Sequence, residues 1–108
     1  AIVPGIQISA DALYHAAAKL PRVELVRPAK VIGRNTVASM QAGLVFGYVG
    51  LVEGVTKRIL DEVGGGPVVA TGGLAQVIAR YTTLFAAVDD DLTLNGLRLL
   101  WERNRPDR

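Results

Sequence analysis

The feature that most constrains the fold is the segment of residues 36–63, in which apolar side chains recur at helical spacing. Steps of three or four residues place one stripe on a single face of a helix, and this stripe comprises Met40, Leu44, Tyr48, Leu51, Val55 and Ile59. Three consecutive glycines at 64–66 follow the segment and stop a helix. The pattern therefore predicts one long helix over residues 36–63.

Glycines recur in the same segment with a similar spacing, at Gly43, Gly47, Gly50 and Gly54. At about 100° per residue, the four positions share one narrow sector beside the apolar stripe. Each glycine inside a helix costs about 0.8–1.0 kcal/mol relative to alanine, so the four together cost about 3–4 kcal/mol. A close approach by another helix would offset this cost. The approaching helix could belong to the same chain or to a second copy of it.

Small residues at this spacing also occur where transmembrane helices pair. The uncharged run from Asn35 to Val52 is a little short of the roughly 20 apolar residues that a span needs. It also contains Thr36, Ser39 and Gln41, which are polar. We therefore expect no membrane span, and a packed helix interface is the favoured interpretation.

Composition excludes several classes of function. The 108 residues carry a net charge of +2, which is too weak and too scattered to indicate nucleic-acid binding. The absence of cysteine and the single histidine exclude thiolate and imidazole-cluster metal sites, and fit a cytoplasmic setting. A mean hydropathy of +0.31 is high for a small domain and indicates apolar surface that a partner covers.

Helices and strands are predicted to alternate along the rest of the chain. The expected elements are a helix over 9–20 capped by Ser9, strands over 23–26, 67–71 and 84–88, a short helix over 74–80 and a final helix capped by Thr93. The strand over 67–71 does not alternate, which predicts burial on both faces. The final helix is expected to turn Leu94, Leu97, Leu100 and Trp101 inward. This order predicts an α/β fold with mainly parallel strand pairing.

The stretch VVATGGLA places Thr71, Gly72 and Gly73 between a predicted strand and a predicted helix. In open α/β folds, ligands bind at the carboxyl ends of the strands. Because glycine has no side chain, a base or a phosphate can lie against the main chain there. A tight turn without a ligand explains the same residues equally well. The stretch is neither a Walker loop nor a GxGxxG motif.

Four blocks together resemble the C-terminal part of type III pantothenate kinase: AIVPGIQIS, VIGRNTVASMQAG, VVATGGLA and DLTLNGLRLLWERN. They cover nearly the whole chain in the family's order and at its usual spacings. The IGxNT-x3-MQxG block is the most specific, whereas TGGLA alone would be weak. Ala42 stands where serine is common in the family, which is a minor departure.

The resemblance implies a fold and an activity. The family has a ribonuclease H-like, actin-like ATPase fold, so residues 1–108 would form the C-terminal domain of a two-domain kinase. That domain would be partial, lacking its first strands, with a mixed sheet flanked by helices. The family acts as a homodimer that phosphorylates pantothenate with ATP, the first step of coenzyme A synthesis. It requires Mg2+ and a monovalent cation, K+ or NH4+.

The resemblance also implies roles for individual residues. Thr71, Gly72 and Gly73 match the turn on the adenosine side of the ATP site. Thr36 matches the threonine that reaches across the dimer into the neighbour's pantothenate pocket. Leu13 and Ala16 lie on the helix after the PG turn, which helps wall the pantothenate site in the family, and would line that site. The long helix contributes to the dimer interface in the family, which agrees with the separate argument from Gly43, Gly47, Gly50 and Gly54.

The family's DxGNT-type loop, its Gly-x-Asp-Arg block and its Asp-x-Gly-Thr strand have no counterpart in this sequence. Phosphoryl transfer needs the groups that those blocks supply, so no catalytic residue is assigned and the chain alone is expected to be inactive. No metal site is assigned either, because adjacent acids such as those at 89–91 point apart. Two alternatives stay open: a non-enzymatic dimerisation or ligand-binding module with an actin-like half-fold, and an unrelated doubly wound nucleotide-binding domain.

Overall fold

A computed structural model describes residues 1–17 and 19–106. Within them the chain forms the helices α1 (Ile6–Ala16), α2 (Thr36–Val63), α3 (Ala75–Ala79) and α4 (Leu92–Arg103) and the strands β1 (Val69–Ala70) and β2 (Ala87–Val88). The chain divides into two compact units, residues 1–64 and the residues from Gly65 onward. This mixed helix and strand content agrees with the α/β class predicted from the sequence.

The helix α2 has the bounds that the sequence predicts, and local bonds explain both ends. At its start, the Asn35 side chain accepts a hydrogen bond from the backbone N–H of Ala38 at 2.8 Å. At its end, Gly64 adopts a left-handed conformation with φ of 86°, and its N–H donates to the Leu60 carbonyl at 2.9 Å. An asparagine cap and a left-handed glycine are the two strongest local signals for helix termini.

The core of the first unit lies between α1 and α2. Its buried side chains come from both helices and are Ile6, Met40, Ala42, Leu44, Val45 and Val49. The predicted apolar stripe is confirmed at Met40 and Leu44, whereas Ile59 at its far end is 45% exposed. Burial along α2 is therefore concentrated in the half that faces α1.

The four glycines of α2 lie on an exposed face, which we call the glycine ridge (Gly43, Gly47, Gly50 and Gly54). At about 100° per residue the ridge lies roughly opposite Val45, which is 1% exposed. No heavy atom lies within 4 Å of a Cβ built at any of the four positions. No described residue of the first unit therefore packs closely on the ridge, and the helix predicted to cover it stays a prediction.

The helix α1 differs from its prediction at both ends. It begins at Ile6 after Gly5 and ends at Ala16, so the predicted range of 9–20 and the Ser9 cap are wrong. Ser9 lies inside the helix, where its hydroxyl donates to the Gly5 carbonyl at 2.9 Å. A serine can bond backwards to the carbonyl four residues earlier as readily as it can cap, and the sequence alone does not distinguish the two.

The strand predicted over residues 23–26 is also wrong, because these residues form no strand. The N–H of Val26 donates to the Glu24 carbonyl at 2.9 Å, which curls the backbone into a tight turn of the kind that ends extended structure. The segment is attached to α2 by the Gln41 side-chain amide, which donates to the Glu24 carbonyl at 3.2 Å.

In the second unit, β1 and β2 pair in parallel with Val69 opposite Ala87 and Ala70 opposite Val88. The parallel pairing confirms the prediction, although each strand has only two residues. Burial of β1 on both faces is wrong, because Val69 is 51% exposed. The helix α3 falls within the predicted range of 74–80 and buries Ile78.

The helix α4 begins at Leu92 after Asp91, so the predicted Thr93 cap is wrong. It ends at Arg103, and the Asn104 side chain that follows donates to the Leu100 carbonyl at 2.7 Å. The predicted inward face is wrong, because the exposures of Leu94, Leu97, Leu100 and Trp101 range from 57% to 67%. An apolar stripe becomes buried only where another element packs on it, and no described residue of α4 is buried.

By length and composition, α2 could cross a membrane, since an 18-residue window has a mean hydropathy of 1.2. The core helices of soluble proteins pass the same test. In this chain part of the apolar face of α2 contacts α1, and 22% of that window is buried. The absence of a membrane span stays a prediction.

The asparagine cap gives a testable prediction for stability. Replacing Asn35 by alanine is expected to destabilise the protein by about 1 kcal/mol, because the N–H of Ala38 loses its acceptor. Asn35→Ser should retain most of the stability, and Asn95→Ala, at an exposed position in α4, serves as the control. Thermal unfolding of the full-length protein measures the difference; equal midpoints for the alanine and serine variants would contradict the capping role.

Candidate groove in the first unit

A groove of about 790 Å³ opens in the first unit beside α1 and the start of α2. The residues that line it come from α1, from the connection that precedes α2 and from the first three turns of α2: Ser9, Leu13, Leu20, Gly33, Arg34, Asn35, Thr36, Ser39, Met40, Gly43 and Leu44. Its size lies within the range of small-molecule sites, about 300–1,000 Å³.

The lining is chemically divided. One part consists of the apolar side chains of Leu13, Leu20, Met40 and Leu44, and the other is polar and comes mainly from residues 34–39. Arg34 is the only charged residue in the lining. A groove of this kind can hold a small molecule with an apolar body, polar groups and a negative charge.

Internal bonds occupy some of the polar groups but leave others available. The Asn35 side chain caps α2, and the Ser9 hydroxyl donates to the Gly5 carbonyl. The hydroxyls of Thr36 and Ser39 have no hydrogen-bond partner among the described residues. Thr36 and Ser39 therefore have the hydroxyls of the lining that are free to donate a hydrogen bond to a ligand.

Gly33 sets the position of the polar part of the lining. A Cβ built on Gly33 would lie 2.5 Å from the backbone nitrogen of Ser39 and 2.6 Å from its Cα. Such contacts with backbone atoms cannot be relieved by rotating a side chain, so only glycine fits. The IGRNT segment is thereby held directly against the first turn of α2.

The groove brings together some of the residues that the sequence singled out. Leu13 and Thr36 both line it, and so does Gly43, the first residue of the glycine ridge. Ala16 is exposed in the last turn of α1 and is not part of the lining, so its role stays a prediction. Sequence reasoning assigned no role to Arg34 or Ser39, although both lie within three residues of Thr36.

The turn of Thr71, Gly72 and Gly73 lies in the second unit, between β1 and α3. Gly72 has φ of 103°, a left-handed conformation that favours glycine, and its carbonyl accepts from the N–H of Ala75 at 3.2 Å. No atom lies within 4 Å of a Cβ built at Gly72 or Gly73, so this backbone is open to a ligand. The following helix has only five residues, which weakens any contribution from its dipole.

The acidic residues before α4 are engaged in local bonds. Asp89 accepts from the N–H of Asp91 at 3.0 Å, and Asp90 accepts from the Gln76 amide at 3.4 Å. Over residues 1–17 and 19–106, no three Asp, Glu, His or Cys side chains come together as a metal site would require. His15 is exposed, with its ring edge-on to Tyr14 at 5.1 Å between centroids.

Mixed helix and strand structure and a groove of small-molecule size define an α/β chain with a candidate ligand site. The sequence model of the type III pantothenate kinase family matches residues 1–58. The chain belongs to the type III pantothenate kinase family.

Three relatives each align with this chain over 106 residues, which is 97% of its length. The type III pantothenate kinase of Anaeromyxobacter sp. (strain Fw109-5) is 63% identical, that of Roseiflexus castenholzii is 59% identical and that of Brevibacillus brevis is 58% identical. The chain spans 42% of the length of each of these relatives.

Proposed function

We propose that this chain is part of an ATP-dependent pantothenate kinase, which transfers the γ-phosphoryl group of ATP to the 4′-hydroxyl of pantothenate. The observation that carries the proposal is the groove, in which Leu13 and Thr36 lie together in a chain of the type III pantothenate kinase family. Both residues had been assigned to the pantothenate pocket through the family motifs, and neither assignment depended on the groove.

The chemistry of the groove suits pantothenate. The substrate has a gem-dimethyl group, which the apolar side chains of Leu13, Leu20 and Met40 can contact. Its hydroxyl and amide groups can bond to the available hydroxyls of Thr36 and Ser39. Because Leu13 and Thr36 line one groove of one chain, we expect both to contact the same pantothenate molecule.

A homodimer is part of the proposal. Gly43 belongs both to the groove lining and to the glycine ridge, so a helix packed on the ridge would border the groove. A second copy of the chain on the ridge would therefore bring its own residues to the groove, and the pantothenate that Leu13 and Thr36 contact would lie in a pocket that the partner completes. Symmetric dimers use the same surface on both subunits, so each dimer would have two such sites.

The nucleotide is proposed to contact Thr71, Gly72 and Gly73. The open backbone at Gly72 and Gly73 lets the adenosine part of ATP approach the main chain without a side chain in the way. Among the described residues no group of three metal-ligating side chains comes together, and no Mg2+ ligand is assigned to this chain. Mg2+ and a monovalent cation, K+ or NH4+, stay expectations from the family.

The role of this chain in the reaction is to bind and position the substrates. Phosphoryl transfer depends on alignment of the acceptor hydroxyl with the γ-phosphoryl group and on stabilisation of the charge that develops. Thr36 and Leu13 would hold pantothenate in place. The residues that catalyse transfer of the phosphoryl group are not assigned to this chain. We also propose a two-domain, actin-like architecture and a cytoplasmic location for the whole protein.

The proposal is tested by assaying pantothenate phosphorylation by the full-length protein and its Thr36→Ala variant. Loss of one hydroxyl bond to the substrate is expected to raise the KM for pantothenate about five- to tenfold, while ATP binding is unchanged. Thr93→Ala, at an exposed position in α4, is the matched control.

Two outcomes would contradict parts of this proposal. An unchanged KM for pantothenate in Thr36→Ala would remove Thr36 from the site. Binding of pantothenate without phosphate transfer by the intact wild-type protein would favour the non-enzymatic ligand-binding module instead.

A further inference from the structure

Arg34 is the one charged residue that lines the groove. Within the described part of the chain, its guanidinium forms no ion pair and no side-chain hydrogen bond. The first turn of α2, which follows directly, contains no acidic residue that could neutralise it.

Two arginines outside the groove have partners close at hand. Arg22 lies 3.8 Å from the Asp11 carboxylate and 4.2 Å above the Tyr14 ring, and Arg98 pairs with Glu102 at 2.8 Å. Arg34 differs because its surroundings in the groove are hydroxyl, amide and apolar groups. A cation in such a position attracts an anion from outside the chain.

The position of Arg34 is restrained by its neighbours on both sides. Gly33 is held against the backbone of Ser39, where even a Cβ would not fit, and Asn35 is held by its bond to Ala38. The backbone of Arg34 is therefore set in place, which reduces the conformational freedom that the guanidinium loses when it binds a ligand.

We propose that Arg34 binds the carboxylate of the substrate and makes the groove select anionic pantothenate over neutral analogues. This inference rests on the proposed function and adds a residue that determines specificity. Guanidinium and carboxylate form charge-assisted, often bidentate hydrogen bonds, whereas a neutral alcohol can accept only a weaker bond at the same place. The apolar part of the lining would contact the body of the substrate and leave the carboxylate at the polar end.

The test compares two acceptors in the full-length protein: pantothenate and pantothenyl alcohol, in which CH2OH replaces the carboxylate and the 4′-hydroxyl is retained. Arg34→Gln is expected to raise the KM for pantothenate about tenfold, with kcat changed by less than about threefold. The KM for pantothenyl alcohol should stay the same, so the preference for the anion should fall about tenfold. Arg34→Lys should restore part of that preference, because it restores the charge without the planar fork.

Lys30→Gln is the matched control, since it removes one positive charge from the same connection at an exposed position outside the groove. It should alter neither KM, which separates a local contact from a general effect of net charge. Equal changes for the two acceptors in Arg34→Gln, or no change for either, would overturn the inference while the proposed function stands. Failure of the wild-type protein to phosphorylate either acceptor would overturn the proposed function itself, and the inference with it.

Discussion

Replacing Gly47 by leucine is expected to convert the full-length protein from a dimer into a monomer without unfolding it. Gly47 lies in the middle of the glycine ridge, where the structure leaves open space for a side chain. Within one chain the substitution should be tolerated and even favourable, because leucine has a higher helix propensity than glycine by about 0.8 kcal/mol.

The expected effect on the dimer has the opposite sign. If a second helix contacts the bare backbone of the ridge, a leucine overpacks the interface at a cost of about 1–3 kcal/mol, and a symmetric dimer contains the substitution twice. The dissociation constant should then rise at least about thirtyfold. Sedimentation at several protein concentrations measures this change, and thermal unfolding checks that the fold is retained.

Gly96→Leu provides the control, because Gly96 is also a helical glycine with open space around its Cβ position. It lies in α4, away from the ridge in sequence, and should leave the dissociation constant unchanged. A full-length protein that is monomeric before any substitution would contradict the proposed dimer. Unchanged dimerisation of Gly47→Leu would remove the ridge from the interface.

Replacing Gly33 by alanine should lower both stability and pantothenate affinity. The added Cβ would lie 2.5 Å from the Ser39 backbone nitrogen, so either the IGRNT segment or the start of α2 must move. Overpacking against backbone atoms is expected to cost about 2–3 kcal/mol, which lowers the unfolding midpoint by about 4–12 °C in a protein of 150–250 residues. Displacement of Arg34 and Thr36 should raise the KM for pantothenate in the same variant.

Calorimetry and a pantothenate assay on the full-length protein test both effects. Gly96→Ala is the control, because its Cβ meets no atom within 4 Å and alanine favours a helix. A Gly33→Ala variant as stable as the wild type would show that the IGRNT segment does not pack against α2 at Ser39. Reduced stability with an unchanged KM would separate the packing role of Gly33 from any role in the substrate site.

Much of the first unit followed from local signals. The bounds of α2 were predicted correctly because Gly64 and the apolar spacing act within a few residues of the helix itself. The start of α1 was missed because Gly5 precedes the helix without a side-chain cap, while Ser9, the apparent cap, bonds backwards inside the helix. The predicted strand over residues 23–26 failed because strand formation needs a neighbour to pair with.

The candidate site was predictable only in part. The family motifs pointed to Thr36 and Leu13, but their meeting in one groove, together with Arg34, depends on how α1 and the IGRNT segment contact α2. Likewise, the leucines of α4 repeat at helical spacing, yet they are exposed in the structure. A repeat identifies which residues share a face, whereas burial depends on what covers that face.

The sequence by itself determined the long helix, its glycine ridge, the parallel order of the two short strands and the family to which the chain belongs. These follow from residue order and from contacts between near neighbours. The tertiary structure alone decided that the ridge is open within the first unit, that Gly33 has no room for a side chain and that Arg34 pairs with no acid among the described residues. Such properties depend on distances in space between residues that are not adjacent in the chain, which spacing and composition do not specify.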